Sequence, residues 1–335
     1  MPLPLIPIIL GTIAVTTGGI GVAKGVKAVM DNNEADDINE NAQDIIDTAQ
    51  NKLQTARERT SESLEQLGNK KIDICDKYLA HFITSFEKLK NVELETSVGL
   101  EELAKFKIDK QSITDLKKVT LLATSLASGT ASGAIAGAAV AFGAYGAAGA
   151  LATASTGTAI ATLSGAAATN ATLAFFGGGA LAAGGLGVAG GTMVLGGLVA
   201  GPALAVLGFV MGAKASSNLD NARSNLATAK KVKAELAVLI TTCNGIKKRS
   251  DLFTKTLIKL EAILNMQLAK FEYILASEGV DYSSYSDSSK NLVAMLLGSV
   301  QAVKALLDTP LLNDNGSLTD DSEKVVNSVK GLLEA

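Results

Sequence analysis

Small and apolar side chains recur at steps of three or four residues along two long charged stretches of the chain. One stretch runs from residue 31 to about residue 67, and the other follows residue 213, where the pattern resumes in mirror fashion. Such steps place one stripe of residues on one face of a helix, as in the seam of a coiled-coil-like pair. The stripes comprise Ile38, Ala42, Ile45, Ala49, Leu53, Ala56, Thr60, Leu64 and Leu67, and then Leu219, Ala222, Leu226, Ala229, Val232, Leu236, Ile240 and Cys243. The pattern predicts an all-α fold with long, coiled-coil-like helical arms.

Further helices are predicted beside these two stripes. The Gly-Asn pair at residues 68–69 is expected to interrupt the first helix, and a second helix follows over residues 72–89. An amphipathic helix is expected from about residue 290 to residue 307. Asp320, with Glu323 three residues later, has the spacing of a capping box that opens a last short helix.

The stretch between the two arms carries no charged side chain. It runs for 95 residues, from Val119 to Ala213, and holds 21 of the 33 glycines of the chain. An ordinary soluble domain places about a quarter of its residues in Asp, Glu, Lys and Arg. An apolar run of about 20 residues is enough to cross a bilayer as a helix. The stretch therefore predicts a Gly/Ala-rich, membrane-inserting helical hairpin region.

Glycines inside the uncharged stretch recur at four-residue steps, which predicts close helix packing in lipid. In water each glycine inside a helix costs about 1 kcal/mol relative to alanine, whereas a bilayer enforces helix. The predicted packing positions are Gly129, Gly133, Gly137, Gly187, Gly191, Gly197, Gly201, Gly208 and Gly212. This glycine zipper predicts a homo-oligomer within the bilayer.

Basic residues flank the uncharged stretch on both sides. Lys117 and Lys118 precede it, and Lys214 follows it. Because positive charge favours one side of a membrane, both edges are expected on the same side, which requires an even number of crossings. Residues 193–211 are rich in large apolar side chains, whereas residues 133–151 are poor in them. That weak hydrophobicity would also allow the region to be covered in a soluble form and inserted later.

The N-terminal residues form a second apolar segment. Residues 1–23 are uncharged, and no positive charge precedes Lys24, so a cleavable signal peptide is not expected. The chain is accordingly divided into an N-terminal apolar segment (1–30), an acidic helical arm (31–118), the uncharged membrane region (119–213), a basic helical arm (214–276) and C-terminal helices (277–335). We expect a membrane location, with a soluble cytoplasmic or released form as an alternative state.

Charge is distributed unevenly between the arms. Residues 31–118 carry a net charge of −6, and residues 214–275 carry +6. Arms of opposite sign attract each other when side by side, and the basic arm could also meet anionic lipid head groups. Nucleic acid is not an expected partner, because the basic residues are not interleaved with aromatic residues.

Residues typical of catalysis or metal binding are scarce. The sequence GLGVAG at residues 185–190 has the spacing of a dinucleotide-binding loop, but no acidic residue follows near the required distance. His81 is the only histidine, and Cys75 and Cys243 lie far apart in sequence, so all three are interpreted as structural residues. No enzyme activity, cofactor or metal is expected.

The order of charged helices, central apolar hairpin and charged helices resembles the α-helical pore-forming toxins of the cytolysin A and haemolysin BL type. The resemblance covers about residues 31–275 and is one of layout, without a shared motif. It implies a soluble bundle that covers an apolar hairpin, then inserts into a bilayer and oligomerises. The leading hypothesis is therefore a pore-forming or membrane-permeabilising protein. The alternatives are a membrane-anchored coiled-coil scaffold that recruits a membrane-remodelling protein through its arms, and a soluble helical adaptor.

Overall fold

The computed structural model describes residues 25–92, 110–127, 139, 142–144, 146, 219–313 and 317–334. Within these ranges the chain is almost entirely helical, and extended residues pair only in isolated bridges such as Lys90 with Asp281. The helices are α1 (Gly25–Ile74), α2 (Ala80–Phe86), α3 (Lys110–Ala127), α4 (Leu219–Ser277), α5 (Asp287–Asp308) and α6 (Asp320–Glu334). The predicted all-α class is confirmed for the described residues.

The two longest helices, α1 and α4, run parallel to each other. Near their N-terminal ends Glu34 lies 3.6 Å from Arg223, and further along Lys70 lies 2.9 Å from Glu261. Residue numbers thus rise in the same direction along both helices. The second arm therefore runs parallel to the first arm. The Glu34–Arg223 pair has the signs expected of an acidic first arm and a basic second arm, whereas the Lys70–Glu261 pair has them reversed. Exposed ion pairs contribute little stability.

Buried positions along the α1–α4 interface recur with alternating steps of three and four residues. Small residues occupy many of them, which lets the two backbones approach closely. On α1 they are Ala35, Ala42, Ile46, Ala49, Leu53, Ala56, Thr60, Ser63 and Leu67; on α4, at steps of seven, they are Ala222, Ala229, Leu236, Cys243, Ser250, Leu257, Leu264 and Phe271. The predicted stripes are therefore buried in part. Ile46 is buried where Ile45 was predicted, and the partly buried members of the predicted stripes are Ile38, Ile45, Leu219, Leu226, Val232 and Ile240.

The described residues form a narrow part and a wide part. The narrow part, named here the stalk, is the pair of α1 residues 34–60 with α4 residues 223–243, where α1 and α4 alone build two small apolar clusters. The stalk is about 40 Å long at 1.5 Å per residue. The wide part, named here the body, contains the rest of α1 and α4 together with α2, α3, α5 and α6 around one large apolar core.

Gly68 does not interrupt α1, so the prediction of a helix end at residues 68–69 was wrong. The helix continues to Ile74 and passes into a π-turn at Cys75–Leu79, in which the N–H of Ala80 donates to the carbonyl oxygen of Cys75. Interior glycine lowers helix propensity by only about 1 kcal/mol, which tertiary packing readily offsets. A close contact described below explains why glycine stands at this position.

The C-terminal helices follow the sequence prediction closely. α5 begins after Ser286, whose hydroxyl accepts a bond from the N–H of Ser289, and it packs antiparallel to the end of α4. At the start of α6 the cap is Thr319, whose hydroxyl accepts a bond from the N–H of Ser322. Asp320 is therefore the first helical residue and not the capping residue that the sequence suggested, and Glu323 pairs with Arg249 instead.

One described helix is long and apolar enough to cross a membrane. This is α5, with a mean hydropathy of 1.3 over its most apolar window, of which 56% is buried inside the body. Buried core helices of soluble proteins have the same length and composition, so α5 is weak support for a membrane location. The N-terminal apolar residues 1–23 and most of the predicted membrane region 119–213 lie outside the described residues.

Candidate functional site

The beginning of the uncharged stretch packs against the body through direct contact between backbones. Ala139, Phe142 and Ala144 are buried, and residues 142–144 are helical. A methyl group at Gly68 would lie 1.7 Å from the carbonyl oxygen of Ala139. One at Gly143 would lie 2.2 Å from the carbonyl oxygen of Leu64. Only glycine permits this approach, which is the reason for Gly68 inside α1.

The same segment is also fixed to the C-terminal end of α5. The carbonyl oxygen of Ala144 accepts hydrogen bonds from the N–H groups of Leu311 and Leu312, at 2.8 and 3.1 Å. Gly146 has a φ of +66° and lies against the carbonyl oxygen of Leu307, a conformation and a space that both favour glycine. The uncharged stretch is thus docked between α1 and the residues that follow α5.

A lysine lies at the centre of this contact. Lys71 has a relative exposure of 0%, and its Nζ atom donates a hydrogen bond to the carbonyl oxygen of Phe142 at 3.2 Å. The same Nζ atom lies 5.4 Å from the ring centroid of Phe142 and 6.0 Å from that of Phe253. Both rings can stabilise the charged amine. We name these residues, with Gly68, Gly143 and Cys75, the Lys71 site.

Burial controls protonation at the Lys71 site. Desolvation lowers the pKa of Lys71 to about 7, and the nearby Cys75 and Asp308 only partly oppose it. Desolvation also raises the pKa of the Cys75 thiol to about 12, so the thiol stays protonated in neutral solution. Near neutral pH the Lys71 amine is therefore much less fully charged than an exposed lysine, inside an interface that is otherwise apolar.

The geometry of the Lys71 site suits docking and release better than catalysis. The amine is enclosed, its one hydrogen bond goes to a backbone carbonyl, and no second titratable group bonds to it among the described residues. Burying an amine that is partly charged weakens the contact between the segment and the body. The close contact between the docked residues and α1 is therefore weaker than it would be with an apolar residue at position 71.

Sequence reasoning did not identify Lys71. It follows the seam residue Leu67 by four positions and precedes the buried Ile74 by three, so it falls on the apolar face of α1. A charged residue on the buried face of a helix is rare enough to mark a candidate site. The spacing of Lys71 from Leu67 and Ile74 was visible in the sequence. It was not recognised, because a helix break was expected at Gly68, between Leu67 and Lys71.

Of the site residues predicted from the sequence, only the first basic edge is described. Lys117 bonds to Glu87 at 2.7 Å and Lys118 to Asp115 at 3.2 Å, both on the exposed surface of α3. Lys214 and the glycine-zipper positions from Gly129 to Gly212 lie outside the described residues. His81 is exposed and lies 2.9 Å from Glu272 on α4, where it joins α2 to α4.

Comparison with known proteins identifies no relative. The sequence matches no protein-family model, no curated protein and no solved structure.

Proposed function

We propose that this protein permeabilises membranes, and that the body holds the start of its uncharged stretch in a docked state before insertion into a bilayer. The observation that carries the proposal is the Lys71 site, where Phe142 and its described neighbours Ala139, Gly143 and Ala144 pack over a fully buried lysine on α1. A stretch of 95 uncharged residues needs either lipid or a protein cover. The body supplies that cover for the docked residues of the stretch.

Docking at the Lys71 site has the features of a reversible contact. Replacing a buried charged group by a well-packed apolar one often stabilises a protein, so a lysine here lowers the stability of the docked state. A permanent core contact would gain from leucine or methionine at position 71. Glycine-to-backbone packing, by contrast, gives the contact its specificity. The combination supports a segment that docks in one place and leaves it.

The stalk supports a second part of the proposal. We propose that it is a parallel coiled coil, since its buried positions follow a strict seven-residue repeat over both helices. Because α1 and α4 are parallel, the helices that follow residues 24 and 218 both begin at the free end of the stalk. Two apolar sequences therefore end in the chain next to this end of the molecule, which suits membrane entry there.

The parallel arms also restrict how a hairpin can insert. Lys117 contacts Glu87, near the C-terminal end of α4, whereas Lys214 precedes its N-terminal end. With 59 residues, α4 has about 80 Å between the part near Lys117 and the N-terminal end that Lys214 precedes in sequence. Both edges can reach one membrane surface in only two ways. Either the body lies along that surface, or α3 separates from the body. In the inserted state the glycine-zipper helices would pack into a homo-oligomer, as the sequence predicts.

The test is release of a dye from loaded vesicles by the full-length protein. We expect wild-type protein to release the dye and Gly68→Ala to release it faster, because the added methyl group prevents docking of Ala139. The matched control is Gly331→Ala in α6, where a methyl group meets no atom within 4 Å. That control should behave as wild type. Intact vesicles with all three proteins, in neutral and anionic lipid alike, contradict the proposal.

A membrane-anchored scaffold is the second candidate, and the position of the two apolar sequences at one end of the stalk favours it. Such a protein would reside in membranes from the outset, and a protein partner would bind along the exposed arms. It would release no dye. Stable membrane residence without leakage, and with no effect of Gly68→Ala on leakage, would favour the scaffold over the permeabilising protein.

A further inference from the structure

The second half of α4 exposes large apolar side chains along one face. Ile258, Met266 and Tyr273 are 48%, 53% and 73% exposed. Their spacings of eight and seven residues are each close to two helical turns, so the three lie on one side of the helix. Isolated exposed apolar residues are common, but a row of three on one helix face is typical of an interaction surface.

Lysines alternate with these apolar residues. Lys255, Lys259 and Lys270 are exposed on the same side of α4, and none forms an ion pair with a carboxylate of the described residues. We name these three lysines, with Ile258, Met266 and Tyr273, the lysine face.

The acidic residues of this half of α4 are turned away or already paired. Glu261 bonds to Lys70 on α1, and Glu272 accepts a hydrogen bond from Ser85. Near the start of the lysine face, Asp251 accepts bonds from Ser63 and Lys247. Between residues 255 and 273 the fully exposed charges of α4 are therefore the three lysines, whereas the side chains of Glu261 and Glu272 are 19% and 36% exposed and both are paired.

A groove adjoins the end of the lysine face. It lies between α4 and α5, has a volume of about 450 Å³, and is lined by Lys270, Tyr273, Ile274, Ser288 and Leu292 among others. The groove is open to solvent and mostly apolar, with one lysine at its edge. An acyl chain could pack against the apolar lining, and a lipid head group could bind the lysine.

We infer that the lysine face of α4 docks the body onto the surface of an anionic bilayer. Lysines attract anionic head groups, while their aliphatic stems and the residues between them reach the acyl boundary. Tyr273 suits this boundary because its ring is apolar and its hydroxyl is polar. Nucleic acid fits less well, because a phosphate backbone offers nothing to Ile258 and Met266. Docking goes beyond the proposed function, since a surface-bound protein need not insert.

Docking through this face would set the orientation of the molecule. The face extends over about 27 Å along α4 from residue 255 to residue 273. A helix held over that length lies parallel to the membrane. The body then rests flat, and the edges at Lys117 and Lys214 can both reach the same membrane surface. This is the arrangement that an even number of crossings requires.

The experiment measures binding of full-length protein to sedimented vesicles of phosphatidylcholine, with or without an equal part of phosphatidylserine. Each lysine near an anionic surface contributes about fivefold to binding. The triple variant Lys255→Gln, Lys259→Gln, Lys270→Gln should therefore bind anionic vesicles on the order of 100-fold more weakly. The matched control changes Lys230, Lys231 and Lys233 of the stalk to Gln, which removes the same charge. It should bind within about twofold of wild type if the lysine face is the docking surface.

A fluorescent reporter locates the contact, because the chain has no tryptophan. Tyr273→Trp should shift its emission to shorter wavelength on anionic vesicles, and Val238→Trp, exposed on the stalk, should not. Equal losses of vesicle binding from both triple variants, or equal emission shifts at both positions, overturn the inference. Dye release recorded in the same samples separates the two claims. Docking without leakage contradicts the proposed function alone, and leakage that the face variant leaves unchanged contradicts docking alone.

Discussion

At the scale of single residues, Lys71 determines how firmly the uncharged stretch is docked. Its amine has lost water and gained one carbonyl oxygen and two aromatic rings in return. Those contacts replace only part of the lost hydration of the charged amine, because desolvation still lowers the pKa of the amine to about 7. The charged form therefore costs free energy in the docked state that it does not cost in water.

The lowered pKa of Lys71 predicts a specific pH dependence. The unfolded chain binds a proton at this lysine up to about pH 10.5, and the folded protein only up to about pH 7. Burial of the neutral Lys71 amine therefore contributes fully to the free energy of unfolding above about pH 10.5. This contribution is lost as the pH falls towards about 7. The unfolding equilibrium constant should therefore fall roughly tenfold per pH unit as the pH rises within that window. Below about pH 6, protonation of Lys71 should cause no further change in the unfolding equilibrium constant.

Replacing Lys71 by methionine tests this dependence. Lys71→Met should be more stable than wild type at neutral pH, by about 1–3 kcal/mol, because no amine is buried. The pH dependence between about 7 and 10 should also disappear. Urea unfolding at several pH values measures both effects. Lys52→Met, at an exposed position of α1, is the control and should retain the wild-type dependence. Loss of stability with an unchanged pH dependence contradicts the role given to Lys71.

Single residues also show why part of the site escaped prediction. Gly68 was interpreted as a helix end because glycine weakens helices in isolation, whereas its function depends on Ala139, which is 71 residues away. No local pattern contains that distant contact. Lys71, by contrast, stood in register with Leu67 and Ile74 and could have been recognised as a charge on a buried face.

At the scale of helices, the parallel direction of α1 and α4 has the largest consequences. The sequence predicts both stripes and most of the buried residues, because three-and-four spacing depends only on the local helix period. It does not predict direction, because a stripe of small apolar residues packs against either orientation of its partner. Direction is determined here by specific pairs, such as the hydrogen bond from Thr60 to the carbonyl oxygen of Cys243.

A disulfide cross-link tests the parallel direction. The side-chain amide of Asn225 donates to that of Asn39 at 2.9 Å, so cysteines at these positions should form a disulfide within one chain. The natural Cys75 and Cys243, both buried, would be replaced by alanine beforehand. Mobility on a non-reducing gel measures the cross-link. The control pair Asn39→Cys with Asn265→Cys is separated by about 60 Å along α4 and should stay reduced. Efficient linkage of the control pair contradicts the parallel arrangement.

At the scale of the whole molecule, the described residues form a body that covers part of the uncharged stretch and a stalk at whose free end α1 and α4 both begin. The body is held by a large core to which Ala139, Phe142 and Ala144 contribute only a few of the buried residues. The predicted layout of charged helices around an apolar centre is consistent with this division. The length of the stalk and the place of docking were not predictable, since both depend on contacts between residues far apart in sequence.

The central claim is that the docked segment leaves the Lys71 site and enters lipid, and a tryptophan at position 142 tests it most directly. Phe142→Trp places the single tryptophan of the chain in the docked segment, and Phe253→Trp places one on α4, facing the same lysine. Vesicles with brominated acyl chains quench only tryptophan that enters the bilayer. The account predicts strong quenching at position 142 and none at position 253 when dye is released. Dye release with position 142 unquenched would contradict it.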